Sequence, residues 1–143
     1  MRCLKFVTVA LAAMLAAPVG AADIAPGLWE IDMESRSPAA PGFTPPPFRI
    51  TQCITPADAK DPSRVLGQVA NPGATNCTYG ERNYSGSTLT FTMKCAGTFE
   101  IESSGRIAFS ATTMEGTIDA KANLGGQSLD TRNKLTARRV GGC

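Results

Sequence analysis

The clearest structural signal in this chain is the segment CTYGERNYSGSTLTFTMKC, residues 77–95. In its second half, apolar side chains occupy every other position, and threonine or lysine fills the positions between them. A period of two residues is typical of a β-strand that buries one face and exposes the other. Ser85, Gly86 and Ser87 separate this half from a first half of similar length. The segment is therefore predicted to form a β-hairpin with four inward side chains: Leu89, Phe91, Met93 and Cys95.

Further strands are predicted on both sides of this hairpin. Residues 28–34 (LWEIDME) alternate as clearly, with Trp29, Ile31 and Met33 on one face and acidic residues on the other. The last two strands flank a hairpin turn signal, Leu124-Gly125-Gly126. With the two hairpin arms, about seven strands result, so the predicted fold is mainly β, an antiparallel curled sheet or a small barrel. The less regular strands are predicted at residues 48–53, 99–110, 115–122 and 128–140.

Proline and glycine interrupt the strand pattern at three places. Thr55-Pro56-Ala57-Asp58 is a helix start, because threonine caps well and proline fits the first helical position. Asp61-Pro62 can restart a second turn and Gly67 is a stop signal, so one short helical excursion of one or two helices is predicted over residues 56–66. Residues 37–47 contain five prolines and are predicted to form an extended, mobile loop. Gly105 is predicted to mark a β-bulge in the strand that contains it.

The first 21 residues have the pattern of an export signal. Arg2 and Lys5 precede an apolar run that ends near Ala17, and small residues follow it. The run is too short to be a good membrane span, so we expect a signal peptide over 1–21 and a single β-rich domain over 22–143 that is not membrane-spanning. Cleavage would leave 12 of the 14 basic residues against 12 acidic residues. Because the mature chain would then be neutral, no nucleic acid is expected as a partner.

Cleavage would also leave four cysteines: Cys53, Cys77, Cys95 and Cys143. An even number in an exported chain without a C-x-x-C motif favours two disulfides over a metal site or a redox pair. Cys77 and Cys95 lie nine residues on either side of Gly86, so a regular hairpin would bring them face to face. This spacing favours Cys77–Cys95 with Cys53–Cys143. The pairing Cys53–Cys77 with Cys95–Cys143 stays open, because four cysteines allow three connectivities.

Charged side chains on the first and last strands predict that these two strands lie side by side. The outward positions of the first strand are acidic, and the even positions of the last strand are basic. Opposite charges across a strand pair contribute about 0.2–1 kcal/mol each, so they would set the register more than the stability. The two stripes consist of Glu30, Asp32 and Glu34, and of Arg132, Lys134 and Arg138.

The residue types present exclude several classes of enzyme. The chain has no histidine, which excludes Ser-His-Asp and Cys-His nucleophilic sites and histidine general bases. Asp58 and Asp61 are better explained as helix caps than as calcium ligands. In two pairs of acidic residues, both members lie on the same face of a strand. Outward strand positions are commonly charged, so a glycosidase pair is not inferred. We expect no enzymatic activity, catalytic residue, metal or cofactor. The carboxylate pairs are Glu100 with Glu102, and Glu115 with Asp119.

Several spaced motifs resemble one known family. Together they are similar to the family called domain of unknown function 3617, over essentially the whole mature chain. The resemblance implies a small exported bacterial protein, a Gram-negative periplasmic setting and a cysteine framework. The family has no established activity, so no catalytic residue carries over. The motifs are Pro26-Gly27-Leu28-Trp29-Glu30, Gln52-Cys53-Ile54-Thr55-Pro56-Ala57-Asp58-Ala59, Asn76-Cys77, Lys94-Cys95 and Gly142-Cys143.

Two functions fit these observations. The first is a non-enzymatic envelope protein that binds a small apolar molecule or lipid inside the curved sheet, at residues that the sequence does not identify. The second is a structural or interaction protein without a small ligand, which docks an envelope protein through loop 37–47 or a sheet edge. An empty apolar pocket would favour the first function. The second would be favoured by a core filled solid by Trp29, Phe91, Phe99, Ile107 and Phe109.

Overall fold

A computed structural model describes residues 24–70, 74–97 and 100–143, with the side chains of Gln68 and Leu124 excepted. Seven strands and two short helices account for most of this part of the chain. The strands are β1 (Gly27–Arg36), β2 (Phe48–Ile54), β3 (Cys77–Ser85), β4 (Thr88–Cys95), β5 (Glu100–Phe109), β6 (Thr113–Leu124) and β7 (Gln127–Gly141). The helices are α1 (Pro56–Ala59) and α2 (Pro62–Val69). The expected signal peptide falls outside the described residues.

All seven strands belong to one antiparallel sheet in the order β2-β1-β7-β6-β5-β4-β3. Strands β3 to β7 follow one another as a meander, and β1 then adds to the free side of β7. The edge strands β2 and β3 do not pair with each other, so the sheet is curled but unclosed. The predicted mainly β, antiparallel fold is confirmed, and of its two forms the structure has the curled sheet rather than the barrel.

The alternation in residues 88–95 separates an inner face of the sheet from an outer face. The four side chains predicted to face inward are all buried, and they share the inner face with Trp29, Ile31 and Met33 of β1. Apolar residues of both helices belong to the same buried cluster, so the helices cover part of this inner face. The outer face carries the charged and hydroxyl side chains. Burial of the inner face supplies the main driving force for folding.

The strand pairing corrects the prediction of a β-bulge at Gly105. Gly105 does not mark a bulge, because β5 pairs without a register shift on both sides. Instead it makes room for Phe91: a Cβ at this position would lie 2.8 Å from two atoms of the ring. Register shifts lie elsewhere: one is in β3, between Tyr79 and Glu81, and another is in the pairing of β1 with β7, between Leu28 and Trp29.

The helical segment is longer than predicted and is divided into two helices. Thr55 caps α1 as expected, and its hydroxyl accepts a hydrogen bond from the backbone N–H of Asp58. Gly67 does not end the helix but lies inside α2, where an added Cβ would make only ordinary van der Waals contact with Tyr79. Glycine inside a helix costs about 1 kcal/mol relative to alanine. Burial of Val69 and Ala70 beyond it explains why the helix continues.

The prediction that β1 and β7 lie side by side is confirmed, since the two strands pair in an antiparallel register. Glu30 lies opposite Arg138 and forms an ion pair with it at 2.6 Å, and Glu34 lies opposite Lys134. The other stripe residues have partners on different strands. Asp32 pairs with Arg49 of β2 at 2.5 Å, and Arg132 pairs with Asp119 of β6 at 2.7 Å. These outer-face pairs are largely exposed, so each adds little stability.

Residues 37–47 connect β1 to β2 as a largely exposed loop, which we call the proline loop. Two short turns interrupt an otherwise irregular backbone, and Phe43 keeps 66% of its surface exposed. Proline cannot donate a backbone hydrogen bond to a strand ladder, which explains why the loop forms no additional strand. Among the helices of the described residues, none has the length and apolar character needed to cross a membrane.

Candidate functional site

Two disulfides join the four predicted cysteines. Cys77 is bonded to Cys95 across the open end of the β3–β4 hairpin, and Cys53 of β2 is bonded to the last residue, Cys143. This is the pairing that the hairpin spacing favoured. Cys95 is 1% exposed, whereas Cys53 and Cys143 lie on the surface. Each bridge ties one edge strand to another part of the sheet.

An apolar cavity of about 220 Å³ opens at one end of the inner face. It lies where β1 and β6 end, where β2, β5 and β7 begin, and beside Ala70 at the end of α2. We call it the inner cavity. The described residues that line it are Met33, Ser35, Phe48, Ala70, Ile101, Ala120, Ala122, Leu129, Thr131 and Asn133.

Small side chains on β6 explain why the residues that the structure describes do not fill this end of the inner face. Ala120 and Ala122 occupy the inner positions near the end of β6, whereas Met114 and Ile118 occupy inner positions nearer its start and are buried. A side chain with a single methyl group leaves a depression between larger neighbours. The two alanines are visible in the sequence, but only the position of the helices in the structure shows which part of the inner face the helices leave open.

The entrance of the inner cavity exposes apolar surface. Phe48 is 44% exposed and Leu129 is 42% exposed, and both line the cavity. Its polar wall comes from neighbours across β1 and β7: the Ser35 hydroxyl donates a hydrogen bond of 2.6 Å to the side-chain oxygen of Asn133. Asn133 is only 5% exposed. The cavity therefore combines apolar walls with a small hydrogen-bonding group, as small-molecule sites commonly do.

A hydrogen-bonded cluster, which we call the Asp61 cluster, fastens the start of α2 to edge strand β3. The carboxylate of Asp61 accepts hydrogen bonds from Ser63 Oγ at 2.5 Å, Tyr84 Oη at 2.9 Å and Arg82 Nη1 at 3.1 Å. The hydroxyl of Tyr79 donates to the backbone carbonyl of Ser63. Asp61 is at the N-cap position of α2 but makes no capping hydrogen bond, which corrects the interpretation of this carboxylate as a helix cap.

The protonation of the Asp61 cluster favours a structural role. Burial tends to raise the pKa of Asp61, but hydrogen bonds from Ser63 and Tyr84 and the charge of Arg82 outweigh it and lower that pKa overall. Burial raises the pKa of Tyr79 to about 12, and burial together with the Asp61 carboxylate raises the pKa of Tyr84. At neutral pH the aspartate is ionised and both tyrosines are protonated donors. None of them has a pKa suited to a general acid or base near pH 7.

Replacing Asp61 with alanine is expected to loosen the helices from β3 and to lower the free energy of unfolding by about 1–3 kcal/mol. Hydrogen exchange should speed up most in residues 56–70. Because the pKa of Asp61 is lowered from 3.8, its contribution is fully present above that pH and is lost as pH falls through the lower, folded-state pKa. The difference between variant and wild type should therefore shrink below about pH 4.

The matched control for this substitution is Asp130→Ala, which removes an exposed aspartate whose side chain has no ion pair among the described residues. Its free energy of unfolding should stay within about 0.5 kcal/mol of wild type. Equal hydrogen-exchange rates in residues 56–70 for wild type and Asp61→Ala would contradict the assigned role.

The carboxylate pairs considered from the sequence lie on the outer face. Glu102 forms an ion pair with Lys94 at 2.6 Å, and Asp119 forms one with Arg132. Both carboxylates line an open groove of about 600 Å³ on that face. The hydrogen bond and charge of Lys94 lower the pKa of Glu102. A glycosidase acid needs a raised pKa, so Glu102 does not have the protonation that this role requires.

Comparison with known proteins connects the chain to one family. A family model described as "Protein of unknown function (DUF3617)" matches residues 24–143. The match covers most of the chain and confirms the resemblance seen in its sequence motifs. No curated protein and no solved structure matches the chain.

Proposed function

The chain belongs to the family described as protein of unknown function (DUF3617), and we propose that it is a non-enzymatic binding protein of the bacterial envelope. Its ligand is a small apolar molecule or the acyl chain of a lipid, held in the inner cavity. The observation that carries this proposal is the apolar cavity at the open end of the inner face, with Phe48 and Leu129 exposed at its entrance.

The size of the inner cavity limits the ligand. Its volume of about 220 Å³ is below the range of about 300–1,000 Å³ for drug-sized ligands. A short apolar chain or a small ring fits this space. The hydrogen-bonded pair of Ser35 and Asn133 offers polar atoms to one end of such a molecule.

The rest of the inner face is filled, so the proposed binding is limited to this end. Trp29, Phe91, Ile107 and Phe109 are at most 6% exposed and pack in one cluster, so the middle of the core is filled. Phe99, which was expected to share this core, lies outside the described residues. A ligand inside the curled sheet would therefore occupy the end of the inner face rather than a central cavity.

The envelope location rests on the sequence and on the cysteines. Two disulfides are typical of proteins from oxidising compartments such as the periplasm. The export signal expected over residues 1–21 and the periplasmic setting that the family resemblance implies support the same compartment.

Filling the inner cavity with Ala120→Leu is expected to weaken binding of an apolar fluorescent probe, N-phenyl-1-naphthylamine, by about tenfold or more. The added side chain occupies the space that the probe needs, and the cavity has room for it, so thermal stability should change little. The measurement is a fluorescence titration of the purified mature protein, with displacement by dodecanoate.

The control is Ala108→Leu, which adds the same side chain at an exposed outer-face position of β5. Its probe affinity should equal that of wild type. Unchanged affinity in Ala120→Leu, or equal losses in both variants, would contradict binding in the inner cavity.

A second candidate is the structural or interaction protein without a small ligand. Two observations favour it. The middle of the core is filled, and the proline loop leaves Phe43 66% exposed, so that an apolar ring is available to a partner envelope protein. Truncating this loop would then abolish partner binding, whereas Ala120→Leu would have no effect.

A further inference from the structure

We propose that a second site, between the proline loop and β7, binds an amphiphilic anion, that is, a phosphate or carboxylate group attached to an apolar body. The site is a pocket of about 330 Å³ on the outer side of the sheet, which we call the loop pocket. Its charged, hydroxyl and apolar walls are formed chiefly by Arg36, Arg132, Ser37, Thr44, Pro41 and Phe43.

The charge of the loop pocket is of one sign. Arg36 of β1 lies directly opposite Arg132 of β7, and among the residues that the structure describes these two are the only charged ones that line the pocket. Like charges directly opposite each other destabilise a sheet. Elsewhere on the same two strands, opposite charges face each other, as Glu30 and Arg138 do. An anion bound between the two guanidinium groups would remove their repulsion.

The two arginines have hydrogen-bond donors to offer. Arg132 uses Nε to contact Asp119 at 2.7 Å, which leaves its terminal nitrogens for another partner. Arg36 makes no ion pair or side-chain hydrogen bond within the described parts of the chain. The planar guanidinium group binds phosphate and carboxylate through two parallel hydrogen bonds, so both anions fit.

The remaining walls favour an apolar body on the anion. Pro41 and the exposed ring of Phe43 lie on the loop side of the pocket, and the hydroxyl of Thr44 adds a neutral donor. The hydroxyl of Ser37 already donates a hydrogen bond of 3.3 Å to the backbone carbonyl of Asp130. A bare inorganic ion would leave this apolar surface in water, whereas an attached hydrocarbon or ring would cover it.

The two arginines also line a neighbouring groove on the outer face, together with Lys134, Glu34 and Glu115. The two carboxylates of that groove would compete with an anion for the basic side chains, whereas the loop pocket has no carboxylate among its described lining residues. The loop pocket is also separate from the inner cavity. Ser35 lines the inner cavity and the next residue, Arg36, lines the loop pocket, so the sheet lies between the two sites. The proposal therefore does not depend on the function proposed for the inner cavity.

The test is isothermal titration of the purified mature protein with dodecyl phosphate below its micelle concentration, beside inorganic phosphate and the neutral dodecyl maltoside. Wild type should bind dodecyl phosphate more tightly than either of the others. Arg36→Gln should weaken this binding by about tenfold, because it removes a charge-assisted contact. Phe43→Ala should weaken it as well.

The matched control is Arg106→Gln, which removes the same charge from the outer face of β5 at a position that lines none of these pockets. Its affinity should stay within about twofold of wild type, since exposed charges at a distance are screened. Ala120→Leu should leave dodecyl phosphate binding unchanged, whatever it does to the apolar probe.

Three results would overturn the proposal. Equal losses in Arg36→Gln and Arg106→Gln would mean that only general positive charge is involved. Equal affinities for inorganic phosphate and dodecyl phosphate would mean that the apolar body of the ligand contributes nothing to binding. Loss of dodecyl phosphate binding in Ala120→Leu would assign the amphiphile to the inner cavity.

Discussion

Replacing Trp29 with alanine is expected to lower the free energy of unfolding by about 3–5 kcal/mol. The side chain is fully buried on the inner face, and its indole N–H donates a hydrogen bond of 3.0 Å to the carbonyl of Ala25. Truncation would leave a large cavity in the middle of the core and an unpaired carbonyl. Urea unfolding followed by circular dichroism measures the change.

Two variants sharpen this test. Trp29→Phe keeps most of the ring volume and should cost clearly less than alanine. Val140→Ala shortens an apolar side chain that is 45% exposed, and it should stay within about 0.5 kcal/mol of wild type. A loss below about 1 kcal/mol for Trp29→Ala would mean that the tryptophan does not belong to the core.

Removal of the Cys53–Cys143 disulfide by the double substitution Cys53→Ala and Cys143→Ala should destabilise the protein by roughly 4–5 kcal/mol. The bridge joins residues separated by 90 positions, so its loss frees a long loop in the unfolded chain. Both cysteines are exposed, so their replacement leaves no cavity in the core. Urea unfolding of the oxidised protein measures the difference.

The second bridge provides the comparison. Cys77 and Cys95 are separated by only 18 positions, for which the same chain-entropy argument gives about 3 kcal/mol. Cys95 is buried, so its replacement adds a packing loss to that figure. A change below about 1 kcal/mol for the Cys53–Cys143 removal would contradict the chain-entropy explanation.

Non-reducing peptide mapping tests the connectivity itself. The pairing in the structure joins the peptide that contains Lys94-Cys95 to the one that contains Asn76-Cys77. The alternative pairing considered from the sequence would instead link Cys53 to Cys77, and Cys95 to Cys143.

Local patterns were enough to predict much of the sheet. The alternation in residues 88–95 identified the inner side chains correctly, because strand geometry alone sends neighbouring residues to opposite faces. The charge stripes predicted that β1 and β7 are neighbours, because opposite charges across a strand pair are favourable. Both signals depend only on the residues of the strands concerned.

Besides the interpretation of Asp61 as a helix cap, which its contacts with β3 replace, two wrong predictions concern glycines whose environment comes from other elements. Gly67 was expected to end a helix, but α2 continues through it because Val69 and Ala70 pack in the core cluster with residues of the strands. Gly105 was expected to form a bulge, but it accommodates the ring of Phe91 on β4. In each case the partner is remote in sequence, so no local rule contains it.

The amino-acid sequence by itself determined the strand pattern, the buried and exposed faces, the absence of histidine chemistry and the favoured disulfide pairing. Only the tertiary structure decided that the sheet stays open, which part of the inner face the helices leave uncovered, and that Arg36 faces Arg132 across two strands. The physical reason is that periodicity and charge act along one strand, whereas cavities and like-charge contacts arise where distant segments meet. Both proposed binding sites belong to this second group.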